Sequence, residues 1–252
     1  MISGTAAGGA RRVVIVTGGS RGIGASIVAD CLGDGWNVCF TYTTDDAGAG
    51  ELVRSTPPGR LLAVRADVTD EQAMEHVFDI AGTLGSVDAL VNNAGTTGAL
   101  GAFHELAVED VRRVVDVNLV GPILASRLAV QHWASDPAGK CIVNISSVAA
   151  TLGAPNEYIP YAAAKAGVET LTVGLAKELG PLGIRVNAIS PGTTLTSIHA
   201  LAGDPDRPRR VAERIPLGRP AEPAEISSAV RWLLSNEASY VTGAIVKVAG
   251  GL

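Results

Sequence analysis

Cysteine and aromatic residues are scarce in this 252-residue sequence, which has 3 cysteines, 3 tryptophans, 4 tyrosines and 3 phenylalanines. Cys31, Cys39 and Cys141 lie far apart in apolar segments and show no C-x-x-C spacing. Such cysteines behave as small hydrophobic side chains, so neither a disulfide framework nor a cysteine metal site is predicted. The expected location is a reducing compartment, the cytoplasm.

Positive charge is also sparse, because 20 lysines and arginines are outnumbered by 25 aspartates and glutamates, for a net charge of -5. Without a dense basic run, a nucleic-acid partner or an anionic membrane surface is not expected. The N-terminal "MISGTAAGGARR" lacks the apolar core of a signal peptide, and no other run is expected to reach membrane-spanning length. Residues 1–10 are interpreted as a flexible tail. No metal site is predicted, since none of the histidines clusters with carboxylates: His76, His104, His132 and His199.

Seven short β-branched runs alternate with longer helical patterns along the chain. The runs are almost continuously apolar, which is typical of strands buried on both faces of a parallel sheet. The sequence therefore predicts a doubly wound α/β fold, with a seven-stranded parallel sheet, helices on both faces and a single domain over residues 11–252. The alternation of strand and helix patterns is interrupted at residues 193–221, which are irregular and rich in proline, glycine and charged residues. The runs are "RRVVIVTG", "NVCFTY", "RLLAVRADV", "VDALVNNAG", "KCIVNISS", "GIRVNAISPG" and "AIVKVAGG".

A glycine-rich turn follows the first predicted strand directly. The stretch "TGGSRGIG" places Gly18, Gly22 and Gly24 in G-x-x-x-G-x-G spacing before a helical pattern. In a parallel sheet this crossing puts the free N–H groups of a helix N-terminus where a phosphate can bind, and glycine lets the ligand approach the backbone. The alternative is a turn whose glycines serve only its tightness.

Residues 158–167, "YIPYAAAKAG", contain two tyrosines and one lysine. Proline is tolerated in the first turn of a helix, so Pro160 is predicted at or near the helix start, with Tyr161 inside and Tyr158 in the incoming loop. Tyr161 and Lys165 then share one helical face, since residues four apart are neighbours. An ammonium close to a phenol lowers the pKa of that phenol, so the pair can act in proton transfer. On this motif alone, a solvated surface pair is the alternative.

Six motifs occur together in the order and at about the spacings of the short-chain dehydrogenases and reductases: "TGGSRGIG", "NNAG", "VNLVG", "NISS", "YAAAK" and "SPGTTLT". From about residue 11 to the C-terminus the sequence resembles this family, including its 3-oxoacyl-acyl-carrier-protein reductases and glucose-dehydrogenase-like members. The resemblance implies a Rossmann-type domain that interconverts a ketone and a secondary alcohol by hydride transfer with a nicotinamide cofactor. It also implies a small-molecule substrate and a homo-oligomer, a tetramer or a dimer.

The resemblance implies four catalytic residues. Tyr161 would protonate the carbonyl oxygen or deprotonate the alcohol, while Lys165 would lower the pKa of Tyr161 and bind the nicotinamide ribose. Ser147 would donate to the same oxygen as charge builds there, and Asn118 would hold a water in the relay to Lys165. Two alternatives stay open. Ser146 could replace Ser147, which lies fourteen positions before the tyrosine, and Asn118 could merely satisfy backbone groups at a helix irregularity.

The resemblance also implies a dinucleotide site. Asp67 would bond the adenine amino group, residues 93–95 would line the adenine ribose, and Thr196 would hold the carboxamide. Asp67 has a plain alternative as the N-cap of the following helix. The full set of predicted cofactor contacts is Gly18, Ser20, Arg21, Gly22, Ile23, Gly24, Tyr42, Thr43, Asp67, Val68, Asn93, Ala94, Gly95, Tyr161, Lys165, Pro191, Gly192, Thr194 and Thr196.

The predicted cofactor is NADP(H), with NAD(H) as the alternative. An NAD enzyme usually ends its second strand with an acidic residue that bonds the ribose 2′-OH and would repel a 2′-phosphate. Here that strand ends in "YTT", and Arg21 in the glycine turn suits a phosphate. Asp45 and Asp46 follow closely and argue against this preference.

Segment 193–221 follows the predicted nicotinamide-binding motif, so it is expected to form a lid over the substrate. Two rival functions stay open: an NAD-linked sugar or hydroxysteroid dehydrogenase, and a catalytically silent dinucleotide-binding regulator, which would not need the Ser, Tyr, Lys and Asn set. Similar carrier-protein reductases meet an acidic carrier through arginines that flank the site. Only Lys140 and Arg185 occupy those flanks here, so better activity is expected on free substrates than on carrier-bound chains.

Overall fold

The structure is a computed structural model that describes residues 11–252. The predicted tail at residues 1–10 lies outside the described residues. Each of the seven apolar runs forms a strand, and six of the strands lie at or within the predicted bounds, while β4 begins one residue earlier, at Ser86. The strands are β1 (Arg12–Val16), β2 (Asn37–Tyr42), β3 (Leu61–Arg65), β4 (Ser86–Asn92), β5 (Cys141–Ile145), β6 (Arg185–Pro191) and β7 (Ile245–Val248).

The seven strands form one sheet in the order β3-β2-β1-β4-β5-β6-β7, and every neighbouring pair is parallel. The chain winds outward from β1 in one direction and then from β4 in the other, so the strand order reverses between these two central strands. The prediction of a doubly wound, seven-stranded parallel sheet is confirmed. In such sheets ligands bind beyond the carboxyl ends of the strands, at the point of reversal.

Helices cover both faces of the sheet. The helices are α1 (Gly22–Gly33), α2 (Asp46–Ser55), α3 (Glu71–Gly82), α4 (Val108–Val115), α5 (Gly121–His132), α6 (Ala149–Leu152), α7 (Ile159–Leu179), α8 (Ile198–Leu201), α9 (Arg207–Val211) and α10 (Pro223–Leu234).

Strand β1 explains why the predicted strands read as continuous apolar runs. Val13 and Ile15 pack into the core on one face, with residues of α3, α5 and α7. Val14 and Val16 pack into the core on the other face, with residues of α1 and α10. All four are completely buried. Because successive side chains of a strand point to opposite faces, a strand covered on both sides has no position that favours a polar residue.

Helices α4 and α5 are joined by a π-helical turn, Asp116–Val120, into one 25-residue helical stretch. By length and hydropathy this stretch, Val108–His132, could cross a membrane, so the expectation that no run reaches that length is wrong for it. Half of its most apolar window is buried within the fold, as is typical of a core helix. The apolar character is therefore accounted for by packing on the sheet.

The three cysteines are free and buried. Burial raises the pKa of Cys31 and Cys39 to about 12 and that of Cys141 to about 11, so all three thiols stay protonated at neutral pH. Within residues 11–252 no three His, Cys, Asp or Glu side chains group as a metal site would require.

Candidate active site

A cavity of about 970 Å³ opens at the carboxyl ends of the strands, where the strand order reverses. This volume lies within the range of about 300–1,000 Å³ that is usual for ligand pockets. Every predicted site residue lines it except Asn118. The motifs that are dispersed through the sequence therefore meet in one place, because parallel strands deliver their following loops to the same edge of the sheet.

The glycine turn forms one end of this cavity. Helix α1 begins at Gly22, and its N-cap residue, Arg21, makes no capping side-chain bond, so the N–H groups of the first turn are free for a ligand. Gly18 and Gly22 adopt φ values of 67° and 56°, which side chains other than glycine rarely tolerate. A Cβ on Gly24 would lie 2.1 Å from the Gly18 carbonyl oxygen. The turn therefore requires glycine and fits the phosphates of a dinucleotide.

Asn93 holds the glycine turn in shape from the neighbouring strand. Its Nδ2 donates to the carbonyl oxygens of Thr17 and Gly18, each at 2.9 Å, and its backbone N–H donates to Thr17 Oγ1 at 2.9 Å. The side-chain amide is thus directed at the turn itself. Ala94 packs against the same turn, since a Cβ on Gly18 would lie 2.9 Å from its Cα.

Asp67 lies at the predicted adenine end of the cavity, and it is not a helix cap. The N-cap of α3 is Asp70, which accepts from the N–H of Ala73 at 3.1 Å, so the alternative reading of Asp67 is wrong. Asp67 instead accepts from the backbone N–H and hydroxyl of Thr69, and Arg113 lies 3.3 Å away. Burial acts to raise the pKa of Asp67, but these hydrogen bonds and the Arg113 charge outweigh it and lower that pKa below its usual value.

A carboxylate and a cation both border the cavity beyond β2. Asp45 is the N-cap of α2, and its Oδ1 accepts from the N–H of Gly48 at 3.1 Å. Arg21, in the glycine turn, also lines the cavity and is exposed. Asp46 is the first residue of α2 and is not among the residues that line the cavity.

The tyrosine and lysine motif begins as the sequence predicts. Helix α7 starts at Ile159, Pro160 lies in its first turn, and Tyr158 is the N-cap residue. Burial raises the pKa of Tyr161 to about 12, while a hydrogen bond with the Ser147 side chain and the Arg207 charge oppose the rise. The Tyr161 phenol therefore keeps its proton at neutral pH.

Lys165 is buried beside Tyr161, with Nζ 5.6 Å from the centroid of its ring. That Nζ donates to the carbonyl oxygen of Ile145 at 2.7 Å, and burial lowers the pKa of Lys165 to about 8. The expectation that Lys165 lowers the pKa of Tyr161 stays a prediction; in the described structure burial has the largest effect on that pKa, and the Arg207 charge opposes it. An i, i+4 spacing sets adjacency but not the depth at which the two groups are buried.

Ser146 and Ser147 both border the cavity, yet their hydroxyls are bound differently. Ser147 is partly exposed, accepts from the N–H of Ala149 at 3.1 Å and contacts Tyr161. Ser146 is 2% exposed, and its hydroxyl donates to Glu169 on α7 at 2.8 Å. Of the two, only Ser147 reaches the tyrosine phenol.

Asn118 lies in the π-helical turn between α4 and α5 and is completely buried. Its Nδ2 donates to the carbonyl oxygens of Val114 at 2.8 Å and Thr96 at 2.7 Å. These contacts are those of the alternative reading, an asparagine that satisfies backbone groups at a helix irregularity. It still lies close to the site, because a Cβ on Gly95 would be 2.8 Å from Asn118 Oδ1 and 3.7 Å from Lys165 Nζ.

Segment 193–221 forms one wall of the cavity, as α8, α9 and a 3₁₀ turn at Ala212–Arg214. Its two ends are joined, since the N–H of Leu195 donates to Ala221 and the N–H of Ala221 donates to Thr193, each at 2.9 Å. The segment is thus a closed loop with its base fixed beside the end of β6.

Arg207 of this segment is a site residue that the sequence reasoning missed. Its guanidinium donates to the carboxylate of Glu157 at 2.7 Å and lies 5.1 Å from the centroid of the Tyr158 ring, which in turn meets Tyr161 edge-on at 5.4 Å. His199 is also buried in this wall, and burial lowers its pKa. No local sequence pattern predicts the contact between Arg207 and Glu157, because the two residues are fifty positions apart.

Comparisons with known proteins identify the class. A family model described as Enoyl-(Acyl carrier protein) reductase matches residues 18–252. The chain is 39% identical over 245 residues to 3beta-hydroxysteroid dehydrogenase 1 of Eggerthella lenta, covering 96% of this chain and 93% of that protein. It is 35% identical over 244 residues to glucose 1-dehydrogenase 2 of Bacillus subtilis, covering 96% and 94%.

The fold agrees with this class. The crystal structure of a blue fluorescent protein from a metagenomic library, in complex with NADPH, matches with a TM-score of 0.86 and 35% identity, covering 95% of this chain and 97% of that chain. The chain belongs to the short-chain dehydrogenase/reductase family and is an oxidoreductase that acts on CH–OH groups.

Proposed function

We propose that this protein is an NADP(H)-dependent oxidoreductase that interconverts a ketone and a secondary alcohol through Ser147, Tyr161, Lys165 and Asn118. The observation that carries the proposal is the meeting of Ser147, Tyr161 and Lys165 in one cavity, where the Ser147 side chain acts to lower the pKa of the phenol and Lys165 Nζ lies 5.6 Å from the centroid of its ring. A bound nicotinamide dinucleotide supplies or accepts the hydride.

The protein's own groups handle the proton and the charge. Tyr161 holds a proton at neutral pH and gives it to the carbonyl oxygen, to which Ser147 also donates. Lys165, with its pKa lowered to about 8 by burial, can exchange a proton near neutral pH and binds the cofactor ribose. Asn118 donates to the backbone of Thr96 and so holds the loop at Gly95 and Thr96, which lies between Asn118 and Lys165.

Steady-state turnover with a panel of ketones and secondary alcohols, each with NADP(H) and NAD(H), tests this function. The panel includes hydroxysteroids and sugars, because the NAD-linked sugar or hydroxysteroid dehydrogenase is the rival enzyme and relatives of both names exist. Binding of a dinucleotide without turnover of any member would favour the other rival, a silent dinucleotide-binding regulator. Since the Ser, Tyr, Lys and Asn set is complete, we expect turnover.

Cofactor preference is the first prediction. We expect kcat/KM to be at least about tenfold higher with NADPH than with NADH, a difference of about 1.4 kcal/mol. The exposed Arg21 can meet a 2′-phosphate, and the carboxylate of Asp45 is engaged at the start of α2 by the N–H of Gly48. Arg21→Gln should reduce the preference chiefly by raising KM for NADPH. A tenfold preference of the wild-type protein for NADH would overturn this prediction.

We further propose that segment 193–221 is a lid over the substrate, held closed by the Arg207–Glu157 ion pair. Arg207 is 11% exposed and Glu157 30% exposed, and together they join α9 to the start of α7. Ligand binding should therefore order the segment. In limited proteolysis of the wild-type protein, we expect cleavage within 193–221 that cofactor plus a substrate analogue suppresses.

Arg207→Gln should accelerate thermolysin cleavage of this segment in the ligand-free protein and raise the substrate KM. Arg210→Gln is the matched control, because Arg210 pairs with Asp204 inside the same segment and is 57% exposed. We expect the control to digest and turn over like the wild type. Equal cleavage with and without ligands, or equal behaviour of the two variants, would refute the lid.

Free substrates should be preferred over carrier-bound acyl chains. Lys140, one of the two flanking bases, is buried and bonds Asp88 at 2.7 Å, while Arg185 donates to backbone carbonyls such as that of Leu233 at 2.7 Å. Neither base is free to form a docking patch for an acidic carrier. The measurement is kcat/KM for an acetoacetyl group on a carrier and on a soluble thioester at two salt concentrations. A carrier advantage that fades with salt would contradict the expectation.

The assembly, location and partners of the protein are proposed from the sequence and its resemblance. We propose a cytoplasmic homo-oligomer, a tetramer or a dimer, that takes a small carbonyl or alcohol substrate and binds neither nucleic acid nor membrane. The net charge of -5 supports the last two points. Sedimentation at micromolar concentration tests the assembly.

A further inference from the structure

A partly buried hydrogen bond joins the residue that follows β5 to helix α7, beside the candidate active site. The Ser146 hydroxyl donates to Oε1 of Glu169 at 2.8 Å, and the carbonyl oxygen of Lys165 lies 3.4 Å from the same hydroxyl. Glu169 follows Lys165 by one helical turn on α7. The serine is 2% exposed, so water does not compete freely for this bond.

Two further contacts hold the same short stretch of chain. Lys165 Nζ donates to the carbonyl oxygen of Ile145 at 2.7 Å, and the N–H of Ser146 donates to Ile189 of β6 at 2.7 Å. Ser146 thus lies between Ile145, whose carbonyl oxygen accepts from Lys165, and Ser147, whose side chain acts on the Tyr161 phenol. Fixing Ser146 fixes both neighbours.

The directions of the Ser146 and Ser147 hydroxyls follow from the geometry of an extended chain. Successive side chains point to opposite sides, so a Ser146 hydroxyl held toward α7 turns the Ser147 hydroxyl toward the cavity. The backbone bond from Ser146 to Ile189 already holds the peptide group whose carbonyl accepts from Lys165. The bond from the Ser146 hydroxyl to Glu169 ties the residue between this peptide and Ser147 to α7, the helix that carries Tyr161 and Lys165, and so sets the distance between the strand end and that helix.

Resting on the proposed function, we infer that Ser146 and Glu169 form a positioning pair that sets Ser147 and Lys165 against Tyr161. Ser146 is the donor of the bond, so what Glu169 must supply is an acceptor at Oε1. The amide oxygen of glutamine can take that place, whereas methionine keeps the length and helix propensity of the side chain but offers no oxygen acceptor.

The test compares Ser146→Ala, Glu169→Met and Glu169→Gln in the full-length protein. We expect kcat to fall roughly 10- to 100-fold in the first two, because small misplacements of catalytic groups cost that much. Cofactor Kd should change much less than kcat, because Lys165 is only one of the many predicted cofactor contacts, and this difference separates placement of the reacting groups from binding. Glu169→Gln should keep at least about half of the wild-type kcat.

Thr172→Val is the matched structural control. The Thr172 hydroxyl accepts from Asn144 Nδ2 at 2.9 Å, and this buried hydrogen bond also joins β5 to α7. Thr172 does not line the cavity. The control should lower the unfolding temperature and leave kcat unchanged. Thermal unfolding of every variant shows that the rates refer to folded protein.

Three outcomes would overturn the inference: wild-type kcat in Ser146→Ala, a Glu169→Gln protein as impaired as Glu169→Met, or a kcat loss in Thr172→Val equal to that in Ser146→Ala. Ser147→Ala separates this failure from that of the proposed function. If Ser147→Ala is inactive while Ser146→Ala is not, the pair fails and the catalytic proposal stands. If Ser147→Ala and Tyr161→Phe both turn over normally, the proposed function itself fails.

Discussion

Tyr161→Phe should lower kcat by at least about 10³-fold, because general acid–base catalysis by one side chain contributes about 10²–10⁴-fold. The substitution removes only the phenolic O–H. The ring remains, and it still meets Tyr158 edge-on at 5.4 Å, so the cavity wall keeps its shape. Cofactor affinity should be unchanged within about twofold, since the phenolic O–H is only one of the many predicted cofactor contacts. Fluorescence titration and steady-state kinetics on the same preparation measure both quantities.

Tyr158→Phe is the control for this prediction, because the same hydroxyl is removed three residues earlier in the same wall. Tyr158 is the N-cap residue of α7, burial raises its pKa to about 12, and its ring lies against Arg207. We expect kcat within about threefold of the wild type, with any change appearing in substrate KM. An inactive Tyr158→Phe protein beside an active Tyr161→Phe protein would reverse the assignment.

Gly24→Ala should abolish dinucleotide binding. The added Cβ would lie 2.1 Å from the Gly18 carbonyl oxygen and 2.6 Å from Asn93 Nδ2, the side-chain atom that holds the turn. Backbone cannot yield as a flexible side chain can, so the turn must open and the first N–H groups of α1 lose their alignment. We expect cofactor Kd to rise at least about 100-fold, equivalent to about 2.7 kcal/mol. Isothermal titration with NADP(H) measures the change.

Gly33→Ala is the matched control in the same helix. Gly33 is the last residue of α1, and a Cβ there meets no atom within 4 Å. Alanine also favours a helix over glycine, so stability should be equal or slightly higher and cofactor binding unchanged. If Gly24→Ala binds NADP(H) as well as Gly33→Ala does, the glycine turn is not the phosphate site.

The sheet could be predicted because its signal is local. A strand covered on both faces must be apolar at every position, and β1 shows this with four consecutive buried residues, 13–16. The helix start at Ile159 was equally readable, since proline is tolerated in a first helical turn. The expectation that no run reaches membrane-spanning length failed for Val108–His132, because a core helix and a membrane helix have similar length and hydropathy. Only the packing of the helix distinguishes them.

The side-chain chemistry of the site was less predictable than its location. Asp67 and Asp70 both precede α3 with suitable residue types, and only the backbone geometry makes Asp70 the cap. Spacing placed Lys165 beside Tyr161, but burial rather than the ammonium dominates the pKa of the phenol. The pairing of Ser146 with Glu169 and of Arg207 with Glu157 joins residues far apart in the sequence, and nothing near either partner signals it.

By itself, the sequence determined the class of fold, the family and a part of the residues that line the cavity, because strand periodicity, glycine spacing and ordered motifs are properties of short stretches of chain. Only the tertiary structure decided which hydroxyl of "SS" reaches the phenol, which carboxylate caps α3 and which arginine acts on Tyr161. The serine and the arginine are set by burial and by contacts between distant segments, as α7 and segment 193–221 pack against the ends of the strands, whereas the cap of α3 follows from the backbone geometry at Asp70.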